Sequence, residues 1–234
     1  LVMSEIQENV KALRARIAEA AEKSGRRPED ITLVAATKMN DAARVREAIA
    51  AGIDVAGENR VQELLDKYEQ GAYEGVPLHF IGNLQTNKVK YLIGKVALIQ
   101  SVDSLKLARE IGRLAVRAGI TQDILVEVNI GGEESKGGIA PDELPALLEE
   151  ISQIDGVFTR GLMTIPPILG AAHKNTRYFE KMRELFIDIG AKKYDNTSMD
   201  FLSMGMSDDY YDAILCGANM VRVGTGIFGR RHYA

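Results

Sequence analysis

The chain carries a single cysteine, Cys216, in 234 residues. One cysteine excludes an intramolecular disulfide and a cysteine metal cluster, and its position suits a small core filler near a helix end. His79, His173 and His232 have no partner at metal-ligand spacing, so no zinc site is expected. No basic run is present: 29 Lys+Arg stand against 33 Asp+Glu, a formal net charge of −4, which argues against a nucleic-acid partner. No long apolar run opens the chain either. Glu5, Glu8 and Lys11 interrupt an amphipathic pattern that is neither a signal peptide nor a membrane span, so no membrane partner is expected and a cytoplasmic location is the default. Linker-like and low-complexity segments are missing too, which predicts one domain over residues 1–234.

What the chain does have is alternation. Ser4 followed by Gln7 is the signature of a capping box, and Ile6, Val10, Leu13, Ile17 and Ala20 follow at helical spacing. This predicts an N-terminal helix within 1–24, ending near Ser24-Gly25. Short apolar strands are then expected at 31–37, 53–56, 78–81, 97–101, 124–129, 157–163, 201–204 and 220–223. Amphipathic helical segments fall between them at 41–50, 59–68, 87–93, 104–118, 141–152, 175–189 and 208–216, with Asp41 and Asp208 as N-caps. Strand–helix alternation implies right-handed parallel crossovers. Eight such units in this length predict an α/β fold: a single (β/α)8 TIM-like barrel with an extra N-terminal helix packed on it. An open doubly wound sheet is the alternative. Its glycine-rich fingerprint is absent from the first turn, which reads Thr37-Lys38-Met39-Asn40-Asp41.

In a barrel, chemistry gathers where the strands end. Lys38 closes the uncharged run from Ile31 to Thr37, where burial would lower an amine's pKa and favour a Schiff-base nucleophile; the plain alternative is a solvated strand end. Glu58-Asn59, Gly82-Asn83, Asn129 and Met163 occupy the next strand ends. The last two read Ser203-Met204-Gly205-Met206-Ser207 and Arg222-Val223-Gly224-Thr225-Gly226. Barrels commonly hold phosphate in the loops after the last two strands, where small residues let backbone amides approach the oxygens. Taken singly, each glycine turn would be only a turn. Two in adjacent terminal units beside Arg222 favour phosphate.

A lysine and a phosphate site on one rim suggest pyridoxal 5′-phosphate. Arg222 would then face the pyridine nitrogen. Arginine stays protonated and can only donate, so that nitrogen would stay unprotonated and carbanion chemistry would be disfavoured. His79, which begins a buried strand, is expected at the barrel bottom or against the N-terminal helix, in a structural role. Lys88 and Lys90 are expected to face solvent. The charged stretch Glu133-Glu134-Ser135-Lys136 reads as a solvated turn or a lid.

At these residues the chain resembles the YggS/PROSC family of pyridoxal phosphate homeostasis proteins. The likeness rests on Lys38 after Leu-Val-Ala-Ala-Thr, on Gly57-Glu58-Asn59, and on His79-Phe80-Ile81-Gly82-Asn83-Leu84-Gln85-Thr86-Asn87-Lys88. Gly161-Leu162-Met163, Leu202-Ser203-Met204-Gly205-Met206-Ser207 and Val221-Arg222-Val223-Gly224-Thr225-Gly226-Ile227-Phe228-Gly229 complete it. The resemblance spans essentially the whole chain and implies a fold-type III barrel similar to the N-terminal domain of alanine racemase. It implies Lys38 as the Schiff-base lysine, Arg222 at the pyridine nitrogen, Ser203, Ser207, Gly224 and Thr225 around the phosphate, and Asn59 near the ring, with Met163 on the same rim. Met39-Asn40-Asp41 and Gly217-Ala218-Asn219 depart from the family pattern without touching those positions.

The implied role is a carrier that buffers or delivers pyridoxal phosphate, with recipient apo-enzymes as partners and no established catalysis. A monomer is expected on separate grounds, because no long exposed apolar helix face stands out in the sequence. The alternative is an amino-acid racemase. That reading needs a second acid–base group from a further domain, and the sequence runs only to Ala234; Tyr210, Tyr211 and Tyr233 have no matching context. A lysine-dependent aldolase lacks an acid–base partner for Lys38.

Overall fold

A computed structural model describes residues 2–134, 136–168 and 173–230. Eight strands, β1 (Thr32–Ala36), β2 (Val55–Glu58), β3 (Leu78–Phe80), β4 (Leu98–Val102), β5 (Gln122–Glu127), β6 (Val157–Met163), β7 (Thr197–Ser203) and β8 (Met220–Val223), close into a barrel in chain order. Every neighbouring pair is parallel, and β8 returns to β1 with Val34 opposite Arg222. The seam between β7 and β8 is narrow, with Ser203 paired to Met220.

The helices are α1 (Glu5–Lys23), α2 (Ala42–Ala51), α3 (Val61–Glu69), α4 (Leu105–Arg117), α5 (Leu144–Ile151), α6 (Thr176–Lys192), α7 (Tyr210–Leu215) and α8 (Thr225–Phe228). The capping box holds: Gln7 N–H donates to Ser4 Oγ at 3.2 Å and Ser4 N–H to Gln7 Oε1 at 2.9 Å. Ile6, Val10, Leu13, Ile17 and Ala20 are all buried, and α1 packs with β1, α7, β8 and α8 in one apolar cluster. Asp41 caps α2 by accepting from Arg44 N–H at 3.0 Å.

Period-two alternation sorts the strand residues into two layers. Leu33, Ala35, Ala56, Ile99, Ile124, Val126, Leu162 and Val221 belong to the shell between strands and helices. Val34, Val55, Leu98, Leu125, Met163 and Met220 form a separate small cluster, the packed barrel interior. Two residues beyond Leu98, Leu125 and Met220 stand the polar side chains Gln100, Glu127 and Arg222.

Several expectations shift. The helix predicted over 87–93 is a 3-10 segment, Thr86–Tyr91, and the one over 141–152 divides into a 3-10 turn, Pro141–Glu143, and α5. β2 lies two residues later than predicted because Glu58 enters the sheet with its charge paired. β7 begins at Thr197 rather than Phe201; three of its first four residues are polar and none is fully buried, which hid them from a hydrophobic reading. The residue before α7 is Asp209, not Asp208, and its carboxylate accepts from Met206 N–H at 2.7 Å. His79 lies inside the barrel on β3, not at the bottom or on α1, bonded to Gln100.

Candidate functional site

Lys38 follows β1 in a turn over 37–40 and is half-buried. The turn is closed by Asn40 N–H donating to the Thr37 carbonyl at 3.1 Å. Met39 in it holds φ 65°, a left-handed conformation that a non-glycine residue adopts at a cost of about 1–2 kcal/mol. On the adjacent strand β8, Arg222 is 2% exposed. Its guanidinium donates to Ser203 Oγ at 2.5 Å and to the Thr164 carbonyl at 3.0 Å, which fixes its plane. Burial draws its pKa down to about 10, with Glu127 and Asp209 opposing, so it stays charged at neutral pH.

Beneath Arg222 runs a buried relay. Ser203 Oγ donates to Gln100 Oε1 at 2.6 Å, and Gln100 Nε2 stands 2.9 Å from His79 Nδ1 and 3.3 Å from Met220 Sδ. Burial drives the His79 pKa down to about 3, so the ring is neutral and accepts through Nδ1. The hydroxyl of Ser203, a residue expected near a phosphate, is engaged on both sides, by Arg222 and by Gln100.

The two terminal loops do meet. Gly226 N–H donates to Ser207 Oγ at 3.1 Å, tying 203–207 to the turn that opens α8. Gly224 caps that helix and Thr225 is its first residue. A Cβ at Gly226 would stand 2.8 Å from Val223 Cγ1 and 3.4 Å from Ser207 Oγ, so the turn has no room for a side chain. Beside Lys38, on the next strand round the barrel, Asn59 follows β2, and its Oδ1 is buried with no protein partner. Gly82 packs against it: a Cβ there would lie 2.1 Å from the Asn59 carbonyl oxygen. Met163 ends β6, fully buried in the interior cluster.

Glu127 ends β5 two residues beyond the interior Leu125. Burial, then the neighbouring Asp103, push its carboxyl up to about 7, against the pull of Arg222 and Lys136. Asp103 accepts from Gly138 N–H at 2.9 Å, and Asn129 donates to the Glu133 carbonyl at 2.6 Å and accepts from its N–H at 3.2 Å. Lys136 donates to the Pro166 carbonyl at 3.2 Å, which joins the two loops on this side. Glu58 was read as a rim residue, but it points outward, paired with Lys67 at 2.8 Å and accepting from the Tyr73 hydroxyl at 2.5 Å. Its pKa is raised because burial outweighs Lys67 and the Tyr73 bond. His173 pairs with Asp212 at 2.8 Å, while His232 and Tyr233 lie outside the described residues.

Sequence reasoning missed Gln100, Thr164 and Glu127. Gln100 and Glu127 were findable, since each stands two residues past an apolar interior position in its strand. Thr164 enters through its carbonyl, which residue type does not reveal.

The donor set suits pyridoxal phosphate. It comprises an amine on a strand-end turn, a buried guanidinium, two joined small-residue loops and an orphaned amide oxygen at one barrel mouth. This is the architecture of the alanine racemase N-terminal domain, whose family model matches residues 7–232. A pyridoxal phosphate homeostasis protein of Aquifex aeolicus is 46% identical over 97% of this chain and 98% of its own. PipY of Synechococcus elongatus, solved with PLP bound, is 33% identical with a TM-score of 0.83, covering 96% of this chain and 100% of that one. The chain belongs to the pyridoxal phosphate homeostasis protein family. Alanine racemase of Clostridium difficile matches at 17% identity and a TM-score of 0.72 over 57% of its length, a likeness of fold alone.

Proposed function

We propose that the chain holds pyridoxal 5′-phosphate at the barrel mouth and takes part in its homeostasis. The carrying observation is the placement of Lys38 and Arg222 on neighbouring strands at one mouth, in a family whose member PipY is solved with that cofactor. When bound, the cofactor supplies an aldehyde that condenses with a primary amine. Lys38 presents the amine. Ser207, Gly224 and Thr225 bind the phosphate through the joined loops, Asn59 and Met163 border the ring, and Ser203 positions Arg222.

Arg222 can only donate. It keeps a facing acceptor nitrogen unprotonated, and an unprotonated ring stabilises a carbanion poorly. That electrostatic choice supports holding over turnover, hence a carrier rather than a racemase. In the same reading the chain is one barrel domain, a cytoplasmic monomer that buffers the cofactor or delivers it to apo-enzymes. No helix among the described residues is long and apolar enough to cross a membrane.

The test is direct. Adding pyridoxal phosphate should change its absorption spectrum, and borohydride should then fix the added mass on Lys38, read by peptide mass spectrometry. An unchanged spectrum, or label on another lysine, overturns the reading. Rapid exchange of an amino acid's α-proton in deuterated solvent would favour the racemase.

A further inference from the structure

The mechanism proposed above leaves a buried lysine unused. Lys67, on α3, has a side chain 7% exposed, and its ammonium stands directly behind the Lys38 turn. Its Nζ donates to Glu58 Oε2 at 2.8 Å, to Glu63 Oε2 at 2.5 Å and to the Thr37 carbonyl at 2.8 Å. Three protons meet three acceptors, so the ammonium is fully satisfied. Glu63 Oε2 also accepts the Met39 N–H at 2.7 Å.

The two backbone groups involved have a specific relation to Lys38. The Thr37 carbonyl belongs to the peptide unit before the Lys38 Cα, and the Met39 N–H belongs to the unit after it. One ion cluster therefore grips both peptide units that flank the Schiff-base candidate. It also supports a strained position. Met39 is the third residue of the 37–40 turn at φ 65°, where turns of this kind favour glycine or asparagine. Without an outside tie, methionine there would relax toward negative φ and rotate the following and preceding units.

We propose that Glu63 and Lys67 are positioning residues for Lys38: they clamp the peptide units on either side of it, hold Met39 left-handed, and so set where the Lys38 amine stands. The functional half of this inference rests on Lys38 being the cofactor lysine; the backbone half does not. A purely structural staple between α3 and the sheet would use the same bonds but would not single out the Lys38 turn.

The variant that separates these is Glu63→Ala, because Lys67 keeps its partner in Glu58 and the buried charge stays paired. In the cofactor-free protein, hydrogen exchange at the Met39 amide should accelerate by about tenfold or more, the loss of one charge-assisted bond. Equal exchange rates overturn the clamp whether or not any cofactor binds. With pyridoxal phosphate added, borohydride-trappable labelling of Lys38 should become roughly tenfold slower or weaker in Glu63→Ala. Met39→Gly in the same chain should restore it, since glycine holds positive φ unaided, and Glu63→Gln, which retains an acceptor oxygen, should fall between. Labelling unchanged in Glu63→Ala overturns the positioning role. So does a loss that tracks the melting temperature and is not rescued by Met39→Gly. A parent chain that never labels defeats the cofactor reading instead, and the exchange result then decides the clamp alone.

Discussion

Arg222 donates to the Ser203 hydroxyl at 2.5 Å, and that hydroxyl donates onward to Gln100 Oε1 at 2.6 Å. The direction is forced. A guanidinium has no acceptor, so Ser203 must receive from it and spend its single proton on Gln100. The Gln100 amide is thereby oriented with its nitrogen toward His79, which accepts through Nδ1. One buried charge sets the polarity of three groups down the barrel axis. Ser203→Ala breaks this chain and strands a buried guanidinium donor. It should lower stability by about 1–3 kcal/mol in urea unfolding. A change within a few tenths would mean that the relay contributes nothing.

His79 gives the relay a pH signature. Its folded pKa, about 3, lies below the ordinary 6.5 because burial disfavours the imidazolium. The unfolded chain therefore takes up a proton that the folded chain refuses. Stability from this group is complete above pH 6.5 and declines as pH falls toward 3, at up to about 1.4 kcal/mol per pH unit. His79→Gln should flatten that part of the stability-versus-pH curve between pH 6.5 and 4, followed by denaturant melts at each pH. A slope equal to the parent's would show that His79 does not carry it.

How far residue order alone reaches is visible in these same groups. β6 and β8 match their predicted limits, since Gly156 stands immediately before the first and Gly224 immediately after the second. Lys38, Asn59 and Arg222 were legible since each follows an apolar interior residue by an even step, and strands alternate. The register between strands is what residue order does not carry. The small-residue loop after β7 points to phosphate, while only the pairing of β7 with β6 and β8 places the Ser203 hydroxyl beside Arg222. Lys67 stands at i+4 from Glu63, a spacing that suits an exposed helix-surface pair as well as a buried one. Its burial depends on Glu58 pointing outward from β2, which the two-residue shift of that strand had concealed.

Glu127 titrates in the opposite sense to His79. Burial and Asp103 raise its folded pKa from 4.5 to about 7. A raised carboxyl contributes stability in its protonated form below the unfolded value, and that contribution is lost as pH rises through 7. Glu127→Gln, which mimics the protonated group, should therefore stabilise the cofactor-free protein at pH 8 by about 1–2 kcal/mol, discounted for partial solvent access, and have little effect at pH 4. Thermal melts at the two pH values decide it. A gain of the same size at both would assign the effect to packing rather than to charge.

Gly82 tests the part of the mouth where β2 and β3 end. A Cβ there would stand 2.1 Å from the Asn59 carbonyl oxygen and 2.7 Å from its Cα, and both contacts are backbone. Backbone atoms cannot swing aside as a side-chain tip can, so Gly82→Ala must part the ends of β2 and β3 or displace Asn59. The cost in stability should be about 1–3 kcal/mol, in the range of overpacking a close-packed core. The displaced group is the one whose Oδ1 waits unpartnered at the mouth. Binding of pyridoxal phosphate, followed by absorbance titration, should therefore weaken in Gly82→Ala by more than in a control of equal stability loss at the barrel bottom, such as Leu78→Val. Equal weakening in both would mean that Asn59 does not border the cofactor, and that Gly82 serves only the close approach of two strands.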